Sequence, residues 1–157
     1  MGFNFSGIVI KKVFQSEEEL GRCVESKVRY LEEVGFEEAL TSFKEEAVVD
    51  VYQSKKGALL LPVFGRLSDL RIFAAEAVQF ILSDVSDTFY FEKYASGQLV
   101  QKFIMSDGEL IQNTGNYTTD EDEDWSEKIW QLADEYVLKD FSQHLPNLKF
   151  GRYELIF

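Results

Sequence analysis

The sequence predicts an α+β fold with a largely antiparallel sheet, and three observations predict it. Residues 78–113 (VQFILSDVSDTFYFEKYASGQLVQKFIMSDGELIQN) combine period-two patterning, aromatic side chains and turn signals, the marks of an antiparallel meander. Two stretches, about residues 17–34 and 125–142, instead repeat their apolar residues every three or four positions, as amphipathic helices do. Short apolar strands flank both helices. At 157 residues a single domain spanning 1–157 is expected, and a chain of that length buries around 70% of its unfolded surface. The order, roughly β-α-(α)-β-β-α-β-β-β-α-β, puts helices against a sheet whose central meander is the scaffold.

Phe3–Phe14 reads as an opening strand whose apolar run Ile8-Val9-Ile10 follows Gly7. Ser16-Glu17-Glu18-Glu19 has the form of a capping box, with Ser16 accepting from the Glu19 amide and Glu19 reaching back. Three carboxylates in a first turn also suit the positive end of the helix dipole. Leu20, Cys23, Val24, Lys27, Val28, Leu31 and Val34 then form one stripe, and Gly35 is a natural stop. Phe36–Phe43 suggests a short second helix, with Phe36, Leu40 and Phe43 on one side. Ala47–Gln53 alternates as a strand and turns at Lys55-Lys56-Gly57 into Ala58–Phe64, where Pro62 implies an edge position or a strand end. Ser68-Asp69 would cap a helix bearing Leu70, Phe73, Ala74 and Ala77. Where that helix yields to the meander is open between Ala74 and Gln79, because short apolar runs fit both periods.

Within the meander, Phe89 and Phe91 fall on one face of a strand, and Tyr90, Glu92 and Tyr94 on the other. Ala95-Ser96-Gly97-Gln98 is a tight connection in which Gly97 takes positive φ. Leu99–Met105 returns with Leu99, Phe103 and Met105 on one face, Gln101 the polar exception there, and Lys102 opposite. Ser106-Asp107-Gly108 is a second hairpin signal leading into Glu109–Asn113. An acidic loop, Thr114–Asp124, precedes the stripe Trp125, Ile129, Leu132, Ala133, Tyr136, Val137 and Phe141, which His144 and Pro146 end. Phe150–Phe157 closes as a strand tied into the sheet.

Charge bounds the partners. The chain carries −12, and the five acids of Asp120–Asp124 account for only part of it, since the rest still carries −7. A field of that sign repels phosphate backbones and argues against nucleic acid, while favouring a basic partner or simply keeping the chain soluble. Cys23 is the sole cysteine, so no internal disulfide forms. No leader-like start and no apolar run of membrane-spanning length occurs, which makes a cytoplasmic setting without membrane contact the expectation.

No catalytic signature stands out. His144 is the only histidine, so imidazole-based metal sites and triads have no material within one chain, and His144 is placed to meet terminal helix carbonyls. Cys23 lies in an apolar stripe beside Glu19 and Glu25, a setting for a small hydrophobe and not a nucleophile. Asp120–Asp124 offers oxygen ligands without the spaced loop of a calcium site, and reads as a solvated run entering a helix N-terminus. Asp84, Asp87 and Glu92 are the carboxylates with catalytic or metal-assisted potential, if one is desolvated enough to hold its proton. Alternatively, Asp84 and Asp87 make an Asx-type turn and Glu92 faces Lys102 on the wet side. Tyr90 and Tyr94, with Glu92 between them and Tyr117 and Trp125 nearby, are candidate contact residues, because such rings pair a large apolar body with a polar tip. A helix over that face would make them ordinary core.

Asp84–Val100 and the strand returning to Phe103 resemble a pattern in uncharacterised bacterial proteins: an Asp-Ser/Thr start, an aromatic strand, then Gly-x-Leu-Val. Some such small acidic proteins resemble immunity proteins of bacterial toxin systems. The likeness covers less than a quarter of the chain, and where many relatives have arginine after Leu-Val this chain has Gln101. It implies a bacterial binding module and assigns no functional residue. The expected function is therefore a non-enzymatic, acidic protein-binding module, of immunity type, with no cofactor. A carboxylate-based, metal-assisted hydrolase and a homo-oligomeric structural protein are the alternatives.

Overall fold

A computed structural model of the chain describes residues 4–40, 47–63, 68–83, 86–115 and 125–156. Nine strands form one sheet, every described pairing antiparallel: β1 (Asn4–Ile10), β2 (Lys27–Gly35), β3 (Val48–Gln53), β4 (Ala58–Pro62), β5 (Ala77–Ser83), β6 (Thr88–Ala95), β7 (Gln98–Ser106), β8 (Glu109–Gly115) and β9 (Lys149–Ile156), in the order β2-β9-β3-β4-β1-β5-β6-β7-β8. The helices are short: α1 (Glu17–Val24), α2 (Phe36–Ala39), α3 (Trp125–Tyr136) and α4 (Phe141–His144). The α+β expectation fits, with the sheet dominating. The meander is present as β5–β8, yet it forms one flank of the sheet, with β8 at the outer edge and β5 against β1.

Strand alternation sends side chains to two separate cores. On one face Val9, Leu59, Val78, Phe80, Phe91 and Phe103 pack against Ile129, Ala133 and Tyr136 of α3 and Phe141 of α4. On the other, Ile8, Ile10, Val49, Val51, Leu60 and Leu155 meet Leu20, Cys23 and Val24 of α1 and Leu70 of the 3-10 turn Leu70–Ile72. We call these the α3 face and the α1 face. Gly7, opposite Phe80, shares the α3 face with Val9, and a Cβ there would stand 2.5 Å from the Phe80 ring, so the position suits glycine. Burying large aliphatic and aromatic side chains on both faces contributes roughly 1.5–3 kcal/mol each.

Several expectations need correction. The helix expected over 17–34 stops at Val24. Glu25 takes the left-handed conformation (φ 58°) and the Ser26 N–H donates to the Gly21 carbonyl, closing the helix. Residues 27–35 are instead β2, paired along its length with β9. Leu31 is an extra residue in that pairing, and it switches the buried side from the α1 face at Val28 to the α3 face at Val34. The capping box forms with an offset: Ser16 Oγ accepts from Glu19 N at 3.1 Å, while the Glu19 carboxylate takes the Gln15 N–H. The second expected helix is described only as the turn α2, since residues 41–46 lie outside the described residues. The helix expected after Asp69 is one 3-10 turn, capped by Asp69 accepting from Arg71 N, and β5 starts at Ala77. The helix expected over 125–142 divides into α3 and α4, because Asp140 adopts φ 58° between them. Pro62 does sit at a strand end, and both hairpin turns carry positive φ, at Ser96-Gly97 and Asp107-Gly108. No helix among the described residues is long and apolar enough to cross a membrane.

Candidate functional site

Among the described residues no helix covers the α1 face over the outer meander, and there the polar side chains of β5–β7 collect. Register makes the cluster: Glu92 of β6 stands opposite Gln79 of β5 and Lys102 of β7, Tyr90 opposite Ile104, and Tyr94 opposite Ala77. Glu92 is only 6% exposed. Its carboxylate accepts from Gln79 Nε2 at 2.9 Å and from the phenols of Tyr90 and Tyr94. Gln79 is fixed in turn by Ser68, whose N–H donates to Oε1 at 3.0 Å and whose carbonyl accepts from Nε2 at 2.8 Å. Lys102 Nζ is 3.8 Å from the other Glu92 oxygen and 5.5 Å above the Tyr90 ring. A charge that close to burial is tolerable only with such partners.

Beside this cluster opens a cleft of about 440 Å³, lined by Glu25, Ser68, Asp69, Arg71, Gln79, Glu92, Tyr94 and Leu99. At its mouth Arg71 grips Asp69 with two bonds of 2.9 Å, which holds the Asp69 carboxyl down at about 2 and raises the guanidinium. Burial, reinforced by the Glu92 charge, pushes the Tyr94 phenol up to about 12 and moves Tyr90 the same way. Arg71 and Lys102 are thus both engaged, whereas Glu25 makes no ion pair among the described residues. Chemically the cleft offers fixed acceptors, the Tyr94 ring and the carboxylate of Glu25. A larger hollow, about 650 Å³ between α1 and β2, brings no aromatic side chain or buried polar group, and Arg22 there is tied to Glu18 at 3.1 Å. Glu25 borders both.

Of the residues singled out by sequence, Tyr90, Glu92 and Tyr94 come together. Tyr117, Asp84 and the acidic run 120–124 lie outside the described residues, as does the side chain of Trp125, the residue that opens α3. Tyr94 is 6% exposed, so it belongs to the floor of the cleft and not to an open surface. Glu92 faces Lys102 as expected but on a buried, not a wet, position. Leu99 departs from its expected face: Val100 is an extra residue in the β6–β7 pairing, which places Leu99 opposite Tyr94, 45% exposed. Asp87 is exposed at the opposite end of β6 with φ 48°, five residues or about 17 Å along the strand from Glu92, so the two carboxylates do not converge. The Gly108 N–H donates to the Asp87 carbonyl, joining two hairpin loops. Among the described residues no group of three potential metal ligands occurs. Cys23 is fully buried and its thiol is pushed up to about 12 by burial and then by Glu25, the opposite of an activated nucleophile. Sequence reasoning missed Gln79, Ser68, Glu25 and Arg71. Gln79 carried a signal, being the one polar side chain in the apolar run Ala77–Leu82.

Neither a protein-family model, nor a curated protein, nor a solved structure matches this chain.

Proposed function

We propose that the protein is a non-enzymatic, acidic binding module that captures a basic protein, in the manner of an immunity protein neutralising a toxin domain. The observation that carries this reading is the meander face that no described helix covers. Tyr90 and Ile104 are partly exposed there and Leu99 more so, next to a cleft whose own cations are neutralised and whose rim keeps the free carboxylate of Glu25. A lysine or arginine from a partner would find aromatic rings and a carboxylate there, and the −12 charge of the chain would steer it in. Against bond-making, the Asp69 and Glu92 carboxylates of the cleft are held by donors, and the one cysteine is buried away from it.

Immobilised protein should retain a basic protein from its native host at low salt and lose it progressively at moderate salt. Tyr90→Ala combined with Leu99→Lys should abolish retention while the fold persists. Absence of any protein partner at both salts refutes the reading, and so does retention that the double variant leaves intact.

A further inference from the structure

The sheet has two open ends, and they are finished differently. Edge strand β2 carries Lys27, Arg29, Glu32 and Glu33, holds an extra residue at Leu31, and has its Tyr30 N–H capped by the Glu17 carboxylate at 3.4 Å. Charges, a bulge and a blocked donor are the devices that keep a foreign strand from adding. Edge strand β8 has little of this. Of its seven residues only Glu109 is charged, Leu110 and Ile111 are 38% and 62% exposed, and no described strand lies on its outer side. Its extra residue, Ile111, sits near the start, and Gln112–Gly115 pair with β7 in regular register.

Charge selects the occupant. Asp107 and Glu109 stand at the start of the edge, β8 itself carries no lysine or arginine, and the chain as a whole carries −12. A second copy of this chain would bring the same charge against itself, so the edge disfavours self-pairing. Leu110 stands opposite Met105 at the margin of the α3-face core, whereas Gln112 and Thr114 point to the open α1 face beside Ile104 and Lys102. A guest strand therefore meets an apolar margin on one side and a polar surface on the other.

We infer that β8 is a docking edge to which a basic partner adds an extended segment, alternating apolar and cationic residues, as a tenth strand. The sign of the partner's charge rests on the function proposed above; the edge itself does not. Main-chain hydrogen bonds would supply affinity and the alternation specificity.

The test mixes the full chain with a synthetic peptide alternating lysine and valine over about nine residues, long enough to span the edge. Amide hydrogen exchange should slow about tenfold or more in residues 109–115, and a glutamate–valine peptide should leave it unchanged. Ile111→Lys, at an exposed position, should keep the exchange pattern of β5–β7 and lose the added protection. Protection at β2 or nowhere, equal effects of the two peptides, or protection that survives Ile111→Lys overturns the inference. If the Ile111→Lys chain still retains its basic partner, strand addition fails while the binding reading stands. If the unmodified chain retains no partner, the binding reading fails and the peptide result judges the edge alone.

Discussion

Removing the carboxylate of Glu92 tests whether the cleft is a preorganised unit. Glu92→Ala deletes one charge-assisted bond from Gln79, at 2.9 Å, for which the net loss is about 1.5–3 kcal/mol. Gln79 keeps the Ser68 carbonyl at 2.8 Å and is not orphaned. Tyr90 and Lys102 are partly exposed and regain water, but the Tyr94 hydroxyl, on a residue 6% exposed, is left without its acceptor, at about 1–2 kcal/mol. The sum is about 2.5–5 kcal/mol, which for a chain of this size lowers the melting temperature by roughly 5–20 °C. Removing an acid also relieves self-repulsion in a protein of charge −12, so Glu18→Ala, at a side chain 80% exposed, is the control and should stay within about 0.5 kcal/mol. Glu92→Gln keeps an acceptor while presenting an amide to donors, and should fall between. Urea unfolding at pH 7 reads all three. A Glu92→Ala chain within about 0.5 kcal/mol of the unmodified one would refute the argument that Gln79 and the two phenols clamp a carboxylate in place.

Other outcomes follow from the same structure. The raised phenols of Tyr90, Tyr94 and Tyr136 keep their protons in the folded chain where the unfolded chain has released them, so their contribution is whole below pH 10 and is lost as pH rises, through about 12 for Tyr94; ultraviolet titration should show late-ionising tyrosines that become ordinary in urea. Gly57→Ala places a Cβ 2.1 Å from the Tyr136 carbonyl oxygen and 2.7 Å from that of Ile10, backbone atoms that cannot step aside, and thermal melting should register a loss of about 3 kcal/mol or more. Asp50 is fully buried and holds Arg152 through bonds of 2.8 and 2.9 Å, so Asp50→Ala should cost about 3 kcal/mol by chemical denaturation, while Asp50→Leu with Arg152→Met should recover most of it.

Local pattern made the meander legible: alternation in Thr88–Tyr94 and left-handed turns at Gly97 and Gly108 need no distant partner to be recognised. β2 was illegible for the opposite reason. Its Val28 and Val34 fit a helical stripe continuing from Leu20, Cys23 and Val24, and only pairing with β9, together with an extra residue at Leu31, makes them a strand. Leu31 shows the error directly, for the supposed stripe residue is 44% exposed. The candidate site divides along the same line. Tyr90, Glu92 and Tyr94 share a strand and were visible as a set, whereas Gln79, Ser68, Arg71 and Glu25 join them through cross-strand register, a 3-10 turn and a helix end. Val100 is a single inserted residue that turns Leu99 over, and periodicity has no means of announcing it.

The position of β9 dictates an order of assembly. Among the described residues β2 pairs with the sheet only through β9, so although it is made before β3 it has nothing to zip onto until a segment more than a hundred residues downstream arrives, as the separation of 125 for Arg29–Glu154 expresses. The hairpins β3–β4 and β5–β8 close short loops and are the natural nuclei. Threading β9 beside β3, and β2 after it, is then the slow closing event, and until it occurs the flank of β3 is an unguarded template for other chains.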